Sequence, residues 1–332
     1  MALNTARAIL NDIKNGNTKP IYCLMGEEPY YIDVISKYIE ENVLSEAEKS
    51  FNQVVLYGRD VSIEDIVSAA KRYPMMAEKQ VVIVKEAQDL SRTIENLTPY
   101  AKNPTPSTVL VLCYKYKKLD GRKSLAKAIR KTGVLFESKK LYEDKIPDWI
   151  KSVLAAKGYT ISVKGAQMLV EFLGTDLGKI NNELEKLQLV LKPGEQITPE
   201  IIEENIGISK DFNNFELVKA LGSRDKKKAF AIIQYFAQNP KDNPMPFTTA
   251  ILYGFYNKLL TYHALDKKAD AAKALKIPPY FLNDYVTAAR NIPMRKASEA
   301  IAAIREVDLK SKGVGANLSQ ADLLKELYVA LL

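Results

Sequence analysis

Five short runs of aliphatic and β-branched residues punctuate the first 140 positions: Ile21 to Met25, Gln53 to Tyr57, Gln80 to Val84, Thr108 to Cys113 and Val134 to Phe136. They are continuously apolar rather than alternating, so each must be covered on both faces. Strands of that kind belong in a parallel sheet whose crossover connections are helices, which predicts a five-stranded doubly wound α/β domain. One crossover helix is signalled at its start, where Ser62 can cap and Asp65 stands at the acidic position of a capping box. Ile63, Ile66, Val67 and Ala70 then share one face, and Pro74 is expected to stop the helix at about Tyr73.

Beyond residue 140 the strand pattern ceases. Residues 143 to 206 read as three helices and a short fourth, with Ser162, Thr175 and Thr198 as caps and Gly158 and Gly174 as terminators. From Phe212 onward come further helices, broken by the Asn239–Pro246 cluster and by Ile277-Pro278-Pro279. A chain of 332 residues exceeds one ordinary core. The expected architecture is therefore α/β plus all-α, in three parts: residues 1–140, a small helical domain over 141–210, and a helical domain over 211–332.

Composition removes several function classes. No 18-residue uncharged apolar run occurs, and the N-terminal stretch lacks the apolar core of a signal peptide, so a soluble cytoplasmic protein is expected. Cys23 and Cys113 lie inside apolar runs and read as reduced, buried strand residues. The one histidine, His263, sits in a helical stretch and rules out a histidine-based zinc site. There is no nucleophile elbow, HExxH, CxxC or dinucleotide fingerprint, and the pairs Glu183/Glu185 and Glu203/Glu204 point apart on helices. No catalytic residue, metal or cofactor is expected.

The net charge of +8 is uneven, +5 over 1–140, −3 over 141–210 and +6 over 211–332. Its densest part, residues 115–131, carries eight Lys or Arg against one Asp. Such a run is either a solvated helix face or a phosphate-binding surface. Lys117, Lys118, Arg122 and Lys123 are its candidate DNA contacts.

An α/β domain followed by two helical ones is similar to the arrangement in AAA+ clamp-loader subunits, which directs attention to the turn after the first strand. A working phosphate loop reads GxxxxGK[ST] there, with amides and a lysine on the phosphates and a hydroxyl on magnesium. This chain has Gly26-Glu27-Glu28-Pro29-Tyr30-Tyr31. The lysine and hydroxyl are missing, and two carboxylates would repel a triphosphate. After the third strand, where an acid should hold magnesium, stand Lys85 and a lone Glu86.

Four stretches, in order, resemble the delta subunit family of the bacterial DNA polymerase III clamp loader: IYCLMGEEPYYID from Ile21, AAKRYPMMAEKQVVIVKEA from Ala69, DLGKINNELEKL from Asp176, and FNNFELVKAL from Phe212 with IPPYFLNDYVTAARN from Ile277. The resemblance implies an ATPase-inactive AAA+-like sheet domain that binds the clamp, a small helical lid domain and a helical collar domain. It implies no intrinsic enzymatic activity but membership of a DNA-directed DNA polymerase, a nucleotidyltransferase complex. The implied partners are the beta sliding clamp, delta-prime and gamma/tau subunits in a hetero-pentamer, and primed DNA. Met75 and Met76 match the family's clamp-binding plug, with Tyr73 and Pro74 beside them; the aromatic usual in that plug is represented only by Tyr73. Physically, a Pro-Met-Met tip has few burial options in a domain whose core is supplied elsewhere, and methionine suits an irregular groove. The other reading is that both methionines pack under the helix. At the level of function the alternatives are an active AAA+ ATPase with an atypical phosphate loop, or a free-standing basic nucleic-acid-binding protein.

Overall fold

The computed structural model describes residues 2–192, 194–207, 209, 211–266, 270–277, 279–315 and 317–332. The chain divides into two compact units, residues 1–141 and 142–332.

In the first unit the five apolar runs form strands β1 (Ile21–Gly26), β2 (Gln53–Tyr57), β3 (Gln80–Lys85), β4 (Thr108–Lys115) and β5 (Val134–Ser138). They make one parallel sheet in the order β2-β3-β4-β1-β5, with Ile21 opposite Leu110 and Tyr22 opposite Val134. The helices are α1 (Ala2–Lys14), α2 (Pro29–Asn42), α3 (Glu46–Asn52), α4 (Ile63–Ala70), α5 (Thr98–Lys102) and α6 (Ser124–Thr132). Alternation along the strands distributes the side chains. Cys23, Met25, Val82, Leu110 and Leu112 join Ile66, Leu97, Ala101, Leu125 and Ile129 in a core on one face. Tyr22, Leu24, Ile83 and Val111 are buried on the other, where α2 crosses β1, β3, β4 and β5 with Ile32, Ile35 and Ile39 buried. Both faces are covered, as the apolar runs require. Cys23 and Cys113 are free thiols in this interior, and burial pushes Cys23 up to about 12.

The second unit contains α7 (Ile146–Ala155), α8 (Val163–Leu173), α9 (Leu177–Val190), α10 (Pro199–Ile206), α11 (Asn214–Ser223), α12 (Lys226–Gln238), α13 (Met245–Ala264), α14 (Ala271–Ala274), α15 (Leu282–Asn291), α16 (Met294–Ser311) and α17 (Gln320–Leu331). Three details differ from the sequence expectations. Residues Thr160–Ile161 and Gln196–Ile197 pair as two short parallel strands, too brief to leave an apolar run. The cap of α9 is Asp176, whose carboxylate accepts the Lys179 amide, rather than Thr175. Thr198 stands at the start of α10 without a side-chain capping bond. Ser162 caps α8, and Gly158 and Gly174 have positive φ as terminators. Residues on α11 to α13 and α15 to α17 share one apolar core around Leu221, Phe236, Leu252, Phe255 and Leu324. His263 on α13 places Nε2 2.9 Å from the Ile292 carbonyl. No helix among the described residues is long and apolar enough to cross a membrane.

Glu216 of α11 has its side chain 5% exposed, between Lys164 of α8 at 3.0 Å and Lys228 of α12. It ties two helices of this core to the preceding helical stretch. Burial alone would raise its carboxyl pKa, but hydrogen bonds from Lys228 and Lys164 outweigh that and hold it below the usual carboxylate range. A carboxylate lowered on folding stabilises the fold fully above its unfolded value, about 4.3, and loses that contribution as pH falls through the folded value. Both lysines keep access to water, so losing the acid strands no buried charge. Glu216→Gln is expected to lower stability by about 1–2 kcal/mol at neutral pH. The deficit, measured by guanidinium unfolding of the full chain, should shrink below about pH 4.

Candidate functional site

Apolar side chains with large exposure in the first unit include Phe51, Tyr57, Tyr73, Met75, Met76 and Tyr116. Three of them stand on the short connection from α4 to β3, and that connection is built as a held tip. Its entry is set by the Ser62/Asp65 capping box: the Ser62 amide donates to Asp65 Oδ2 at 2.9 Å, and the Asp65 amide donates to Ser62 Oγ at 3.2 Å. Hydrogen bonds from the Ser62 backbone and side chain hold the Asp65 carboxyl below its usual range. The helix ends at Ala70, three residues before the stop expected from Pro74. It ends early because side chains of the sheet and of α5 take its terminal carbonyls. Thr108 Oγ1 donates to Ala70 O at 2.8 Å and Tyr100 OH at 3.3 Å. The buried Gln80 amide Nε2 lies 3.3 Å from the carbonyls of Ala69 and Ala70, within bonding distance of Arg72 O, and 2.8 Å from Thr108 Oγ1.

Beyond this anchor the chain projects. Tyr73 is 88% exposed, Met75 54% and Met76 99%, with Pro74 half-buried between them. Met76 has φ +55, a left-handed conformation that costs a non-glycine residue about 1–2 kcal/mol and so needs support from its surroundings. That support comes from Asn52, the last residue of α3: its Oδ1 accepts the Met75 amide at 2.6 Å and its Nδ2 donates to the Met75 carbonyl at 2.9 Å. The reading in which both methionines pack under α4 does not hold. Sequence inspection missed Asn52, Gln80, Thr108 and Tyr100, since buried amides and hydroxyls spaced along different elements leave no local pattern.

The other candidate residues lie at the opposite edge of the sheet. The tip precedes β3 and so stands at the N-terminal edge of the parallel strands. The basic turn follows β4 at the C-terminal edge, about 20 Å away along strands of this length. Tyr73, Pro74, Met75 and Met76 are thus brought together, Lys117, Lys118, Arg122 and Lys123 are brought together, and the two groups are not. In the basic turn Arg122 is already engaged: its Nε and Nη2 meet Asp120 at 3.1 and 2.9 Å. The Arg122 side chain first, then its backbone amide, holds the Asp120 carboxyl down to about 2. Lys118 Nζ is 3.7 Å from Glu137, Lys117 Nζ is 3.4 Å from Ser91 Oγ, and Lys123 is exposed at the start of α6.

Beside it, the turn after β1 spends its donors internally. The Gly26 amide donates to Lys117 O at 2.9 Å and the Glu28 amide to Ser138 O at 3.2 Å. Gly26 has φ +129, and a Cβ there would sit 2.1 Å from the Ser138 carbonyl. The buried Glu28 carboxylate caps α2, accepting the Tyr30 amide at 3.1 Å, and occupies the position at the helix N-terminus that suits a phosphate. Glu86, after β3, is paired with Lys115 at 3.4 Å, and Lys115 also reaches Asp33 at 2.9 Å. Burial works against the Lys115 charge, yet these two carboxylates outweigh it and raise its pKa. Among the described residues no group of three or more His, Cys, Asp or Glu is arranged to hold a metal ion.

Comparison with known proteins agrees with this geometry. Residues 22–139 match the family model described as DNA polymerase III, delta subunit. The chain is 26% identical over 284 residues to DNA polymerase III subunit delta of Bacillus subtilis, covering 82% of each protein. It is 23% identical over 278 residues to the probable DNA polymerase III subunit delta of Aquifex aeolicus, covering 78% of this chain and 76% of the relative. The solved structure of the Bacillus subtilis DNA clamp loader delta protein superposes with a TM-score of 0.64 at 24% identity, covering 98% of this chain and 99% of that one, and shares the fold. Residues 22–139 carry the match to the delta-subunit family model, and over about four fifths of its length the chain is similar to DNA polymerase III delta subunits.

Proposed function

We propose that the chain acts in the cytoplasm as a non-enzymatic clamp-loader subunit that binds the ring-shaped beta sliding clamp through Tyr73, Pro74, Met75 and Met76 and favours its open form. Its assembly partners in this reading are delta-prime and the gamma/tau subunits, in a complex that places the clamp on primed DNA and serves a DNA-directed DNA polymerase. The observation that carries the proposal is the held tip. A 99% exposed methionine in a left-handed conformation is costly in water, and it makes sense as half of a contact.

The same reading has no nucleotide at the sheet's C-terminal edge. In support, the Gly26 and Glu28 amides are bonded to carbonyls and the Glu28 carboxylate covers the N-terminus of α2. Calorimetric titration of the isolated chain with ATP and magnesium should give no binding heat; a micromolar dissociation constant would restore the reading as an active ATPase.

Duplex phosphates are assigned to Lys117, Lys118, Arg122 and Lys123 in the assembled loader. Because Asp120 and Glu137 already engage Arg122 and Lys118, most of the contribution is expected from Lys117 and Lys123. Charge reversal at all four should weaken DNA binding by the full complex and flatten its salt dependence. An unaltered affinity and slope would leave the cluster a solvated surface.

The decisive test concerns the tip. Burying two methionine side chains contributes roughly 1.5 to 3 kcal/mol each by area. Met75→Ala with Met76→Ala is therefore expected to weaken clamp binding by about 2–4 kcal/mol after discounting non-additivity, or about 30- to 1000-fold. Surface plasmon resonance measures it, with thermal unfolding as the control, since side chains this exposed should leave the melting temperature nearly unmoved. A folded double variant within threefold of wild-type affinity would remove the assignment and shift attention to Tyr73.

A further inference from the structure

The tip is unusual in how its backbone is held. Asn52 lies 23 residues earlier in the chain, on a different element, and is 4% exposed. Its amide meets both polar groups of a single residue, accepting the Met75 N–H at 2.6 Å and donating to the Met75 C=O at 2.9 Å. A second donor contact, from Nδ2 to Glu48 O at 3.2 Å, fixes the amide against its own helix. One side chain thus imitates a strand neighbour for one residue of a loop. Only a carboxamide can do this, because a carboxylate lacks the donor and an aliphatic isostere lacks both groups.

The other arm of the tip is held by Gln80, whose buried amide reaches the Arg72 carbonyl and those of Ala69 and Ala70. Between these two anchors lie only Tyr73 and Pro74, and Met76, directly after the clamped Met75, has φ +55. A loop ordered before contact avoids the ordering cost that a free loop would meet on binding.

We infer that Asn52 is a positioning residue for partner binding: by clamping the Met75 backbone it pre-orders the tip so that Met75 and Met76 enter a partner's groove without further ordering. This rests on the reading of the tip as the clamp contact. It concerns a residue that need not touch the clamp.

Two variants of the full chain test it, Asn52→Ala, which removes both bonds, and Asn52→Asp, which keeps the volume but places an acceptor against the Met75 carbonyl. Each is compared with wild type and with the Met75→Ala/Met76→Ala tip, using the purified sliding clamp as the probe. Both Asn52 variants should weaken binding about tenfold, corresponding to about 1.4 kcal/mol. In N52A the Met75 amide should lose its protection from hydrogen exchange while the sheet amides keep theirs. Adding N52A to the alanine tip should cost little more, because the residue acts through the methionines. If the alanine tip weakens binding but a folded Asn52 variant binds as wild type, the positioning role is wrong and the tip reading stands. A full additional loss when N52A is added to the alanine tip would likewise overturn it, pointing to a direct or merely structural role. If the alanine tip itself binds as wild type, the tip reading fails. Should N52A not fold, N52D decides alone.

Discussion

Burial of the parallel sheet on both faces is the constraint from which the first unit follows. Ile21 to Met25, Val81 to Val84 and Val109 to Tyr114 are interior on either side, so no side chain in the middle of these three central strands is available to solvent or to a partner. Chemistry and contact are confined to the two edges where strands begin and end. The carboxyl edge is where a doubly wound sheet ordinarily takes a phosphate-bearing ligand. Here that edge is closed by its own atoms: carbonyls of Lys117 and Ser138 on the turn amides, Glu28 on α2, and Lys115 between Asp33 and Glu86. The opposite edge carries the exposed tip.

At the closed carboxyl edge the turn is fixed by its own residues. Gly26 is still demanded, since the backbone runs at φ +129 with Ser138 O too close for a Cβ. A helix N-terminus still attracts negative charge, and Glu28 supplies it from within the chain. A resident carboxylate is always present, so this end of α2 does not depend on a ligand for its order. The opposite edge, which carries the tip, then needs no ligand at this one to keep its shape.

Much of this was legible in the residues. Strand positions followed from uninterrupted apolar runs, and the start of α4 from Ser62 and Asp65, because burial and capping are local rules. What escaped depends on partners remote in sequence. Pro74 suggested a helix reaching Tyr73, but Gln80, Thr108 and Tyr100 satisfy the carbonyls at Ala70 and end it there. Thr175 and Asp176 are both competent caps, and only the path of the chain selects Asp176. The exposed methionines could be suspected from the Pro-Met-Met triplet. Their support by Asn52 could not, since an asparagine ending a seven-residue helix reads as an ordinary terminator. The basic stretch was visible as charge, whereas its internal pairing with Asp120 and Glu137 required coordinates.

Separation of the two edges bears on how a subunit of this construction could act on a ring. The tip and the basic turn stand about a strand length apart, joined by a sheet whose interior is closely packed and hard to deform. A displacement imposed on the unit would reach the tip as rigid-body motion, with little absorbed by bending. Rigidity alone favours no state of the ring. A ligand shifts an equilibrium only by its difference in affinity for the two forms, and moving a population from 1:99 to 99:1 takes about 5.5 kcal/mol of such difference. Two methionines, at roughly 1.5 to 3 kcal/mol each if fully buried, come near that figure only if their groove is available almost solely in the open form. In the proposed role the tip must therefore discriminate between ring states as well as bind, and a pre-ordered backbone serves that purpose. A flexible tip could adapt to the closed ring too and would lose the difference that opens it.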